Sequence, residues 1–225
     1  MDWHEWHNAY DNPDSYLARR LVLVKERIRE ALDAAPEGEV GLVSLCAGQG
    51  RDVIEVVAEH PRRRDVRARL VELDARNAEF ARRLAERTGL GGVEVVAGDA
   101  SLTDHYVDVA PADVVVLCGV LGNVVDADVR RIFDYCTALC RPGGTLVWTR
   151  TRHYDTFVGP WLEEREFEAV WVSGPEVEYG VGAHRYRGDG KRLMTGERMF
   201  EFVGYDVLRN ADRRSHVWQG EQPTP

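Results

Sequence analysis

The chain has 225 residues, of which 44% are hydrophobic, and a formal net charge of −9. This size suits one well-buried domain, and the acidic balance argues against a general nucleic-acid-binding protein, which usually presents a basic face. No stretch is long and apolar enough to span a bilayer, and no signal-peptide pattern opens the sequence, so we expect a cytoplasmic protein that does not contact membranes. The four cysteines form no CxxC pair and have no histidine at zinc-finger spacing, which predicts reduced thiols and no metal site.

Residues 1–36 are predicted to form an aromatic segment followed by one amphipathic helix. Two tryptophans, two histidines and a tyrosine fall within the first twelve residues, MDWHEWHNAYDN. From Asp14 to Ala35, apolar residues recur at helical spacing until Pro36 ends the pattern. The aromatic segment has two interpretations: a lid that excludes water, or a staple that packs the helix on a sheet. Because tryptophan is usually buried for stability, the composition favours the staple.

Residues 37–218 alternate strands and helices, and residues 219–225 are expected to be a flexible tail. This alternation predicts an α/β fold with a parallel sheet and right-handed crossovers. A closely spaced pair of strands after the fifth strand suggests an antiparallel pair. The predicted strands are Glu39–Cys46, Val66–Glu72, Val93–Ala97, Asp113–Cys118, Thr145–Thr149, Phe167–Val172 and Tyr179–Tyr186, and the predicted helices among them are Asp52–Glu59, Asn77–Arg87, Ala127–Cys140 and Trp161–Arg165.

Four of the predicted strand ends carry distinctive residues. The turn AGQG at residues 47–50 follows the first strand, Glu72 closes the second, Asp99 follows the third and Gly119 follows the fourth. Because parallel strands end at one edge of the sheet, where α/β proteins bind ligands, these residues together predict a single site. Each of them alone would also fit a packing turn or a solvent-exposed carboxylate.

The acids at this edge suit a nucleoside ligand. Glu72 is placed to accept hydrogen bonds from the hydroxyls of a ribose, as acids at this position do in nucleotide-binding sheets. Asp74 could share that role, but its position also suits the N-cap of the following helix. Asp99 is placed to accept a hydrogen bond from an adenine amino group, or is an ordinary turn residue.

Taken together, these motifs resemble those of the class I S-adenosylmethionine-dependent methyltransferases, in the family's order, from Val43 to Thr149. SLCAGQGRD resembles the glycine-rich first motif, LVELDARNAEFARR the acidic second and VVAGDA the third. ADVVVLCGVLGNV, followed by LCRPGGTLVW, resembles the fourth motif and the Pro-Gly-Gly turn. The resemblance implies a three-layer Rossmann-like sandwich with a seven-stranded, mostly parallel sheet, an antiparallel last strand, and S-adenosyl-L-methionine as cofactor.

Carried over by position, the resemblance also implies a set of cofactor-binding residues. Glu72 would hold the ribose, Leu73 would lie against the adenine, and Tyr10 would close over the cofactor. The remaining positions would surround the methionine and sugar (Cys46, Ala47, Gly48, Gly50), read the adenine edge (Asp99, Ala100) or lie near the amino-acid end (Cys118, Gly119).

Two positions depart from the family pattern. The acid that the family commonly carries within its first strand is Ser44 here, and the first glycine of its motif is Cys46. The methionine amine would then depend more on backbone carbonyls near Cys46 and Cys118 than on a carboxylate.

Catalysis of methyl transfer asks mainly for positioning, because the sulfonium methyl group is already activated. A general base is needed only if the acceptor must lose a proton. The candidates for that role are His153 and Tyr154, with Asp155, in the loop after the fifth strand, and His4 or His7 in the aromatic segment. Asn123 could orient an acceptor or cap the next helix. His153 also fits a surface loop position, and a packed or exposed position is favoured for His4 and His7.

The acceptor is predicted to be a small molecule methylated on O or N, for which specialised metabolism is one setting. The residues after the fourth strand, Gly119–Asn123, lack the Asn/Asp-Pro-Pro-aromatic pattern typical of enzymes that methylate base amino groups. Together with the acidic charge, this argues against a nucleic-acid partner. Two alternatives stay open: an NAD(P)-dependent oxidoreductase, although its usual third glycine would fall near Val53, and a non-catalytic scaffold of the same fold. The oligomeric state is not predicted.

Overall fold

A computed structural model describes residues 2–151, 157–177, 179–204 and 207–208. Within these residues a short helix and a 3₁₀ turn, His7–Asp11, precede the regular alternation of strands and helices. The strands are β1 Val40–Leu45, β2 Val66–Glu72, β3 Val93–Ala97, β4 Ala112–Leu117, β5 Cys140–Thr151, β6 Phe167–Val172 and β7 Tyr179–Tyr186. The helices are α1 Trp3–Trp6, α2 Tyr16–Asp33, α3 Arg51–Glu59, α4 Ala75–Arg87, α5 Asp126–Leu139 and α6 Val158–Glu163.

The strands form one seven-stranded sheet in the order β3-β2-β1-β4-β5-β7-β6. The pairs along β3, β2, β1, β4 and β5 are parallel, whereas β7 runs antiparallel to both β5 and β6. This architecture confirms the predicted α/β sandwich with its antiparallel last strand. It places the ends of β1, β2, β3 and β4 side by side at one edge.

Helices cover both faces of the sheet. One face packs against α2, α3 and α4, and the other packs against α5 and α6. The predicted amphipathic helix is α2, which begins where Ser15 Oγ accepts a hydrogen bond from the Ala18 N–H at 3.0 Å. Its apolar stripe, including Val24, Ile28 and Leu32, is buried on the sheet. Each such side chain contributes about 1.5–3 kcal/mol by leaving water.

The predicted element bounds differ from the observed ones mainly in two places. The segment around Pro142, predicted to be a turn, belongs to β5, because Ala112 pairs with Cys140 before a register shift to the pair Val114 and Thr145. The aromatic segment, which shows no sequence periodicity, contains the short helix α1 and the 3₁₀ turn. All four cysteines are free thiols.

No helix among the described residues has the length and apolar character needed to cross a bilayer.

Candidate active site

The turn after β1 is built from left-handed backbone. Cys46, Gly48 and Gly50 have φ values of 50°, 56° and 65°. At Gly50 a Cβ atom would come within 2.8 Å of Ile54 and 2.9 Å of Leu70, so the turn closes tightly between strand and helix. Cys46 has no such freedom, and its left-handed conformation costs about 1–2 kcal/mol. A glycine at this position would avoid that cost.

Glu72, at the end of β2, is tied to the glycine turn. Its carboxylate accepts hydrogen bonds from the Gly48 N–H at 2.8 Å and from the Asp74 N–H at 2.9 Å, and the side chain is only 8% exposed. Burial raises the pKa of Glu72, and the two backbone donors oppose that shift. The acid of β2 and the turn after β1 therefore form one continuous wall.

The two residues that follow Glu72 have different roles: one caps α4, and the other lies exposed at the sheet edge. Asp74 is the N-cap of α4 and accepts a hydrogen bond from the Arg76 N–H at 2.9 Å, which confirms the capping interpretation. Leu73 is 72% exposed beside the wall. An apolar side chain this exposed offers a flat ligand a surface on which to lie.

Asp99, after β3, already has protein partners. Its carboxylate accepts hydrogen bonds from the Ser101 N–H at 3.0 Å and from Arg198 Nη1 at 2.8 Å. Burial opposes its ionisation, but the hydrogen bonds of Ser101 and the ion pair with Arg198 lower the pKa of Asp99 overall. The neighbouring Ala100 is 3% exposed and its side chain packs into the core. Only its backbone is therefore available to a ligand at the sheet edge.

Beyond β4 the chain makes a turn held from inside. Gly119, with φ 77°, donates its N–H to Thr149 Oγ1 at 2.8 Å, while the Asn123 Nδ2 donates to the Gly119 carbonyl at 2.6 Å. Cys118 is partly exposed at the start of this turn. Asn123 is 7% exposed, and these contacts show it supporting the turn.

The N-terminal segment, residues 2–12, lies on the glycine turn. The His7 ring is seated so closely on Gly48 that a Cβ atom there would overlap it. The His7 Nδ1 lies 2.5 Å from the Trp3 carbonyl oxygen, to which it donates, and this leaves Nε2 as the unprotonated nitrogen. Burial lowers the pKa of His7, which keeps the ring neutral at pH 7.

Further contacts hold the N-terminal segment against two helices. The Asp2 carboxylate pairs with Arg76 at 2.9 Å, and the His4 Nδ1 lies 3.0 Å from Asn77 Oδ1, both on α4. Asp11 pairs with Arg51 of α3 at 2.7 Å. The segment therefore bridges the two helices that flank the turn.

A second covering piece, the C-terminal strap (residues 197–204), crosses the same edge. It supplies Arg198 to Asp99, and the Val203 and Gly204 N–H groups donate to the Asn123 carbonyl at 2.9 and 3.0 Å. Phe202 meets Trp3 edge to face, with ring centroids 5.6 Å apart. The strap and the N-terminal segment thus touch above the sheet edge.

On the β4 side of the edge, Tyr10 lies beside two charged side chains. It interacts electrostatically with Arg20 of α2 and with Asp52 of α3. Burial raises the pKa of Tyr10, and burial likewise raises the pKa of Asp52 to about 6. Both charged groups lie near the Cys118 thiol.

Comparison with known proteins identifies the family whose fold and site this sheet edge shares. Residues 43–144, from β1 to the start of β5, match the family model of a methyltransferase domain. Residues 43–144 carry a methyltransferase domain, and the sheet around them has the fold of the class I methyltransferases. This confirms the family predicted from the motifs, and with it the enzyme class and the cofactor: a methyltransferase that uses S-adenosylmethionine.

Solved structures similar to this methyltransferase share its fold. A precorrin-6y C5,15-methyltransferase from Geobacter metallireducens is 15% identical over 72% of this chain and 86% of its own, with a TM-score of 0.54. An RNA methyltransferase from Salinibacter ruber, in complex with S-adenosyl-L-homocysteine, is 20% identical over 76% and 95%, with a TM-score of 0.52. The magnesium protoporphyrin IX methyltransferase of Synechocystis PCC 6803, with bound SAM, is 11% identical over 74% and 79%, with a TM-score of 0.59. No curated protein matches the sequence significantly.

The methyltransferase brings most of the predicted cofactor residues to one edge. Glu72 meets the glycine turn, and Leu73, Asp99, Cys118 and Gly119 follow neighbouring strands. Of the predicted catalytic residues, Asn123 supports its own turn, whereas His153 and Tyr154 lie outside the described residues, as does Asp155.

Sequence reasoning did not single out several residues that the methyltransferase places here. Arg198 and Phe202 belong to a strap without a regular apolar pattern. Arg20 lies on the polar side of an amphipathic helix, and Asp52 has the position of an ordinary first-turn acid. The one indication in the sequence was Ser44, at the position where the resemblance leads one to expect an acid, because its absence leaves the methionine amine without a carboxylate partner in β1.

Proposed function

We propose that this methyltransferase binds S-adenosylmethionine across the ends of β3, β2, β1 and β4 and transfers its methyl group to a small-molecule acceptor on O or N. The observation that carries the proposal is the hydrogen bond between Gly48 and Glu72, because it joins the turn and the acid into one preformed wall. Preformed donors and acceptors spare the ligand the cost of ordering them.

In the proposed pose, the adenosine lies over the β2 and β3 ends. The Glu72 carboxylate accepts from the ribose hydroxyls with the lone pairs that the backbone leaves free. Leu73 lies against the adenine, and the edge formed by Asp99 and Ala100 reads its amino group. The sugar and methionine pass along the remaining residues of the site: Cys46, Ala47, Gly48, Gly50, Cys118 and Gly119, with Tyr10 above them.

The reaction breaks the bond between sulfur and the methyl carbon and forms a bond between that carbon and the acceptor oxygen or nitrogen. The electrons of the broken bond return to sulfur, which leaves as the thioether of S-adenosylhomocysteine, and the acceptor loses a proton. Holding both reactants in line supplies most of the acceleration.

The acceptor is proposed to lie beneath the N-terminal segment. Trp3, Trp6 and Phe202 present partly exposed rings there, and their position above the edge supports the lid interpretation over the staple. Aromatic rings of this kind exclude water and stack on planar small molecules. The net charge of −9 supports a small acceptor over a nucleic acid.

For proton removal, where the acceptor requires it, His7 is the better placed of the two predicted histidines in the N-terminal segment, because His4 Nδ1 lies 3.0 Å from Asn77 Oδ1. His7 is buried and neutral, and its unprotonated Nε2 lies at the glycine turn. His153 and Tyr154 stay predictions for the same role, as does Asn123 for orienting the acceptor.

Two measurements test the proposal. Calorimetric titration with S-adenosylhomocysteine should show a single binding site, and no binding would overturn the cofactor site. Isotopically labelled S-adenosylmethionine should then be incubated with the enzyme and the small-molecule and RNA pools of the producing cell. Label in the small-molecule pool is the expected result. Label in RNA would overturn the acceptor class, and binding without transfer to any pool would support the non-catalytic scaffold.

The nicotinamide-dependent alternative loses support. The residue at the usual third glycine, Val53 of α3, is fully buried in the core, where a glycine would leave a void. A parallel titration with NAD and NADP should show no binding.

A further inference from the structure

Two opposite charges come together on the β4 side of the active-site edge. Arg20 on α2 and Asp52 in the first turn of α3 lie on two helices that ion pairs join side by side, and each charge also acts on the Cys118 thiol. The Arg20 guanidinium lies 6.0 Å from the Trp6 ring and 5.9 Å from the Tyr16 ring. Aromatic rings therefore hold the cation in place without neutralising it.

Within the part of the chain that the structure describes, neither charge takes part in an ion pair. Arg20 interacts electrostatically with Tyr10, and one Asp52 oxygen accepts from the Val53 N–H at 2.9 Å. A guanidinium has five N–H donors and a carboxylate has two oxygens, so most of the hydrogen-bonding capacity of both groups is open. Partly buried charges without ion-pair partners are costly, and a ligand that pairs with both would remove that cost.

The order of the strands indicates which part of the cofactor reaches them. With adenosine over β2 and β3, the rest of the molecule extends toward β1 and β4, where Cys118 begins the turn. This part of S-adenosylmethionine is an amino acid, with an α-carboxylate and an α-ammonium group. A cation and an anion at this place match that pair of charges.

We propose that Arg20 binds the α-carboxylate of the cofactor and that Asp52 binds its α-ammonium group. The inference rests on the proposed function, and it replaces the sequence-based expectation that backbone carbonyls near Cys46 and Cys118 hold the amine. Ser44 is 1% exposed within β1 and carries no charge. The acid missing from β1 is therefore supplied from α3, and the carboxylate partner from α2.

A purely structural role for Arg20 makes a different prediction. Arg20 would then only position Tyr10 and Trp6, and its loss would weaken every adenosine ligand to the same extent. Recognition of the amino-acid end instead weakens only ligands that possess a carboxylate.

The experiment compares three ligands by calorimetry. S-adenosylhomocysteine carries both charged groups, its decarboxylated analogue keeps only the amine, and 5′-methylthioadenosine has neither. The variants are Arg20→Gln and Asp52→Asn, and Arg29→Gln on the same helix is the control, because its exposed side chain pairs with Glu59 at 3.6 Å, away from the site. Thermal melting verifies that each variant is folded.

Arg20→Gln should weaken S-adenosylhomocysteine about 30-fold, as expected for a lost bidentate charged contact, and leave the other two ligands within about twofold. Asp52→Asn should weaken both amine-bearing ligands about tenfold and spare 5′-methylthioadenosine. Arg20→Lys should restore part of the lost affinity, and Arg29→Gln should match the parent.

Each remaining outcome counts against the inference in a recognisable way. Equal weakening of all three ligands would make Arg20 a structural residue. Unchanged affinity of Arg20→Gln for S-adenosylhomocysteine would overturn the inference while leaving the cofactor site intact. Failure of the parent protein to bind any of the three would overturn the proposed function itself.

Discussion

The adenosine end and the methionine end of the proposed cofactor site differ in how their charges are satisfied. Glu72 and Asp99 both accept hydrogen bonds from backbone N–H groups, and Asp99 also accepts one from Arg198. Arg20 and Asp52 form no ion pair among the described residues. The charged groups of the adenosine end already have protein partners, so this end suits a neutral nucleoside. The charged groups of the methionine end would gain their partners from the zwitterionic amino acid of the ligand. We therefore expect shape to determine binding at the adenosine end and charge to determine it at the methionine end.

The largest effect on cofactor affinity is expected from a substitution at the adenosine end. Glu72→Ala removes the partner of the Gly48 and Asp74 N–H groups, so two donors lose their acceptor at a buried position. We expect at least tenfold weaker binding, about 1.4 kcal/mol, of both S-adenosylhomocysteine and 5′-methylthioadenosine. The free energy of unfolding should also fall, by about 2 kcal/mol.

Calorimetry and urea unfolding measure these two changes. Glu79→Ala is a matched control, since Glu79 on α4 pairs with Arg83 at the surface. Parental affinity in Glu72→Ala would remove Glu72 from the site.

Acid should affect the two ends differently. Burial raises the pKa of Asp52 to about 6 against the opposing charges of Arg20 and Lys25, with Tyr10 and Cys118 also facing it. Above that pH the carboxylate is ionised and ready for an ammonium group, and below it binding must first remove a proton. Affinity for S-adenosylhomocysteine should therefore fall about tenfold from pH 7 to pH 5.

Titration with 5′-methylthioadenosine over the same range isolates this effect, because any protonation of Glu72 acts on both ligands. The ratio of the two affinities should change with pH in the parent and stay constant in Asp52→Asn. A constant ratio in the parent would contradict the role of Asp52.

A smaller change in affinity is expected where the C-terminal strap contacts the adenosine end. Arg198→Gln leaves Asp99 with the Ser101 N–H and frees its second oxygen from the ion pair. The Asp99 carboxylate then loses a contact that holds it in place, but Arg198 is about half exposed and the ion pair contributes little, so we expect only about threefold weaker binding of both adenosine ligands. An effect confined to S-adenosylhomocysteine would place Arg198 at the wrong end of the cofactor.

The smallest effect concerns the contact between the two covering segments. Trp3 and Phe202 meet edge to face, and such pairs contribute about 1 kcal/mol. In a double-mutant cycle with Trp3→Ala and Phe202→Ala, the coupling in stability should be of that size. Additive changes would show that the two segments close independently.

The sequence was sufficient for the parts of the site that follow from local pattern. The run from Val43 to Val57 shows its strand, turn and helix through burial pattern and glycine placement, and Glu72 is visible because it ends an apolar strand. The close spacing of the last two strands and the family resemblance both predict antiparallel pairing at the end of the sheet, and β7 confirms it by pairing with β5 and β6.

The covering contacts could not be predicted from the sequence, because they join residues far apart in the chain. His7 meets Gly48 and Arg198 meets Asp99 through packing that no periodic pattern encodes. The environment of Arg20 could not be predicted for another reason: on an amphipathic helix, the pattern assigns every polar residue to the solvent-facing side. Its environment becomes visible only when Tyr10 folds back beside it.

The meeting of Trp3 with Phe202 has a consequence for turnover. S-adenosylhomocysteine must leave after every cycle, and both segments lie above the edge from which it departs. In the proposed binding mode, exchange of product for fresh cofactor depends on separating these two aromatic side chains. We therefore expect the covering segments to set the residence time of the product, and the sheet to set the alignment of the reacting atoms.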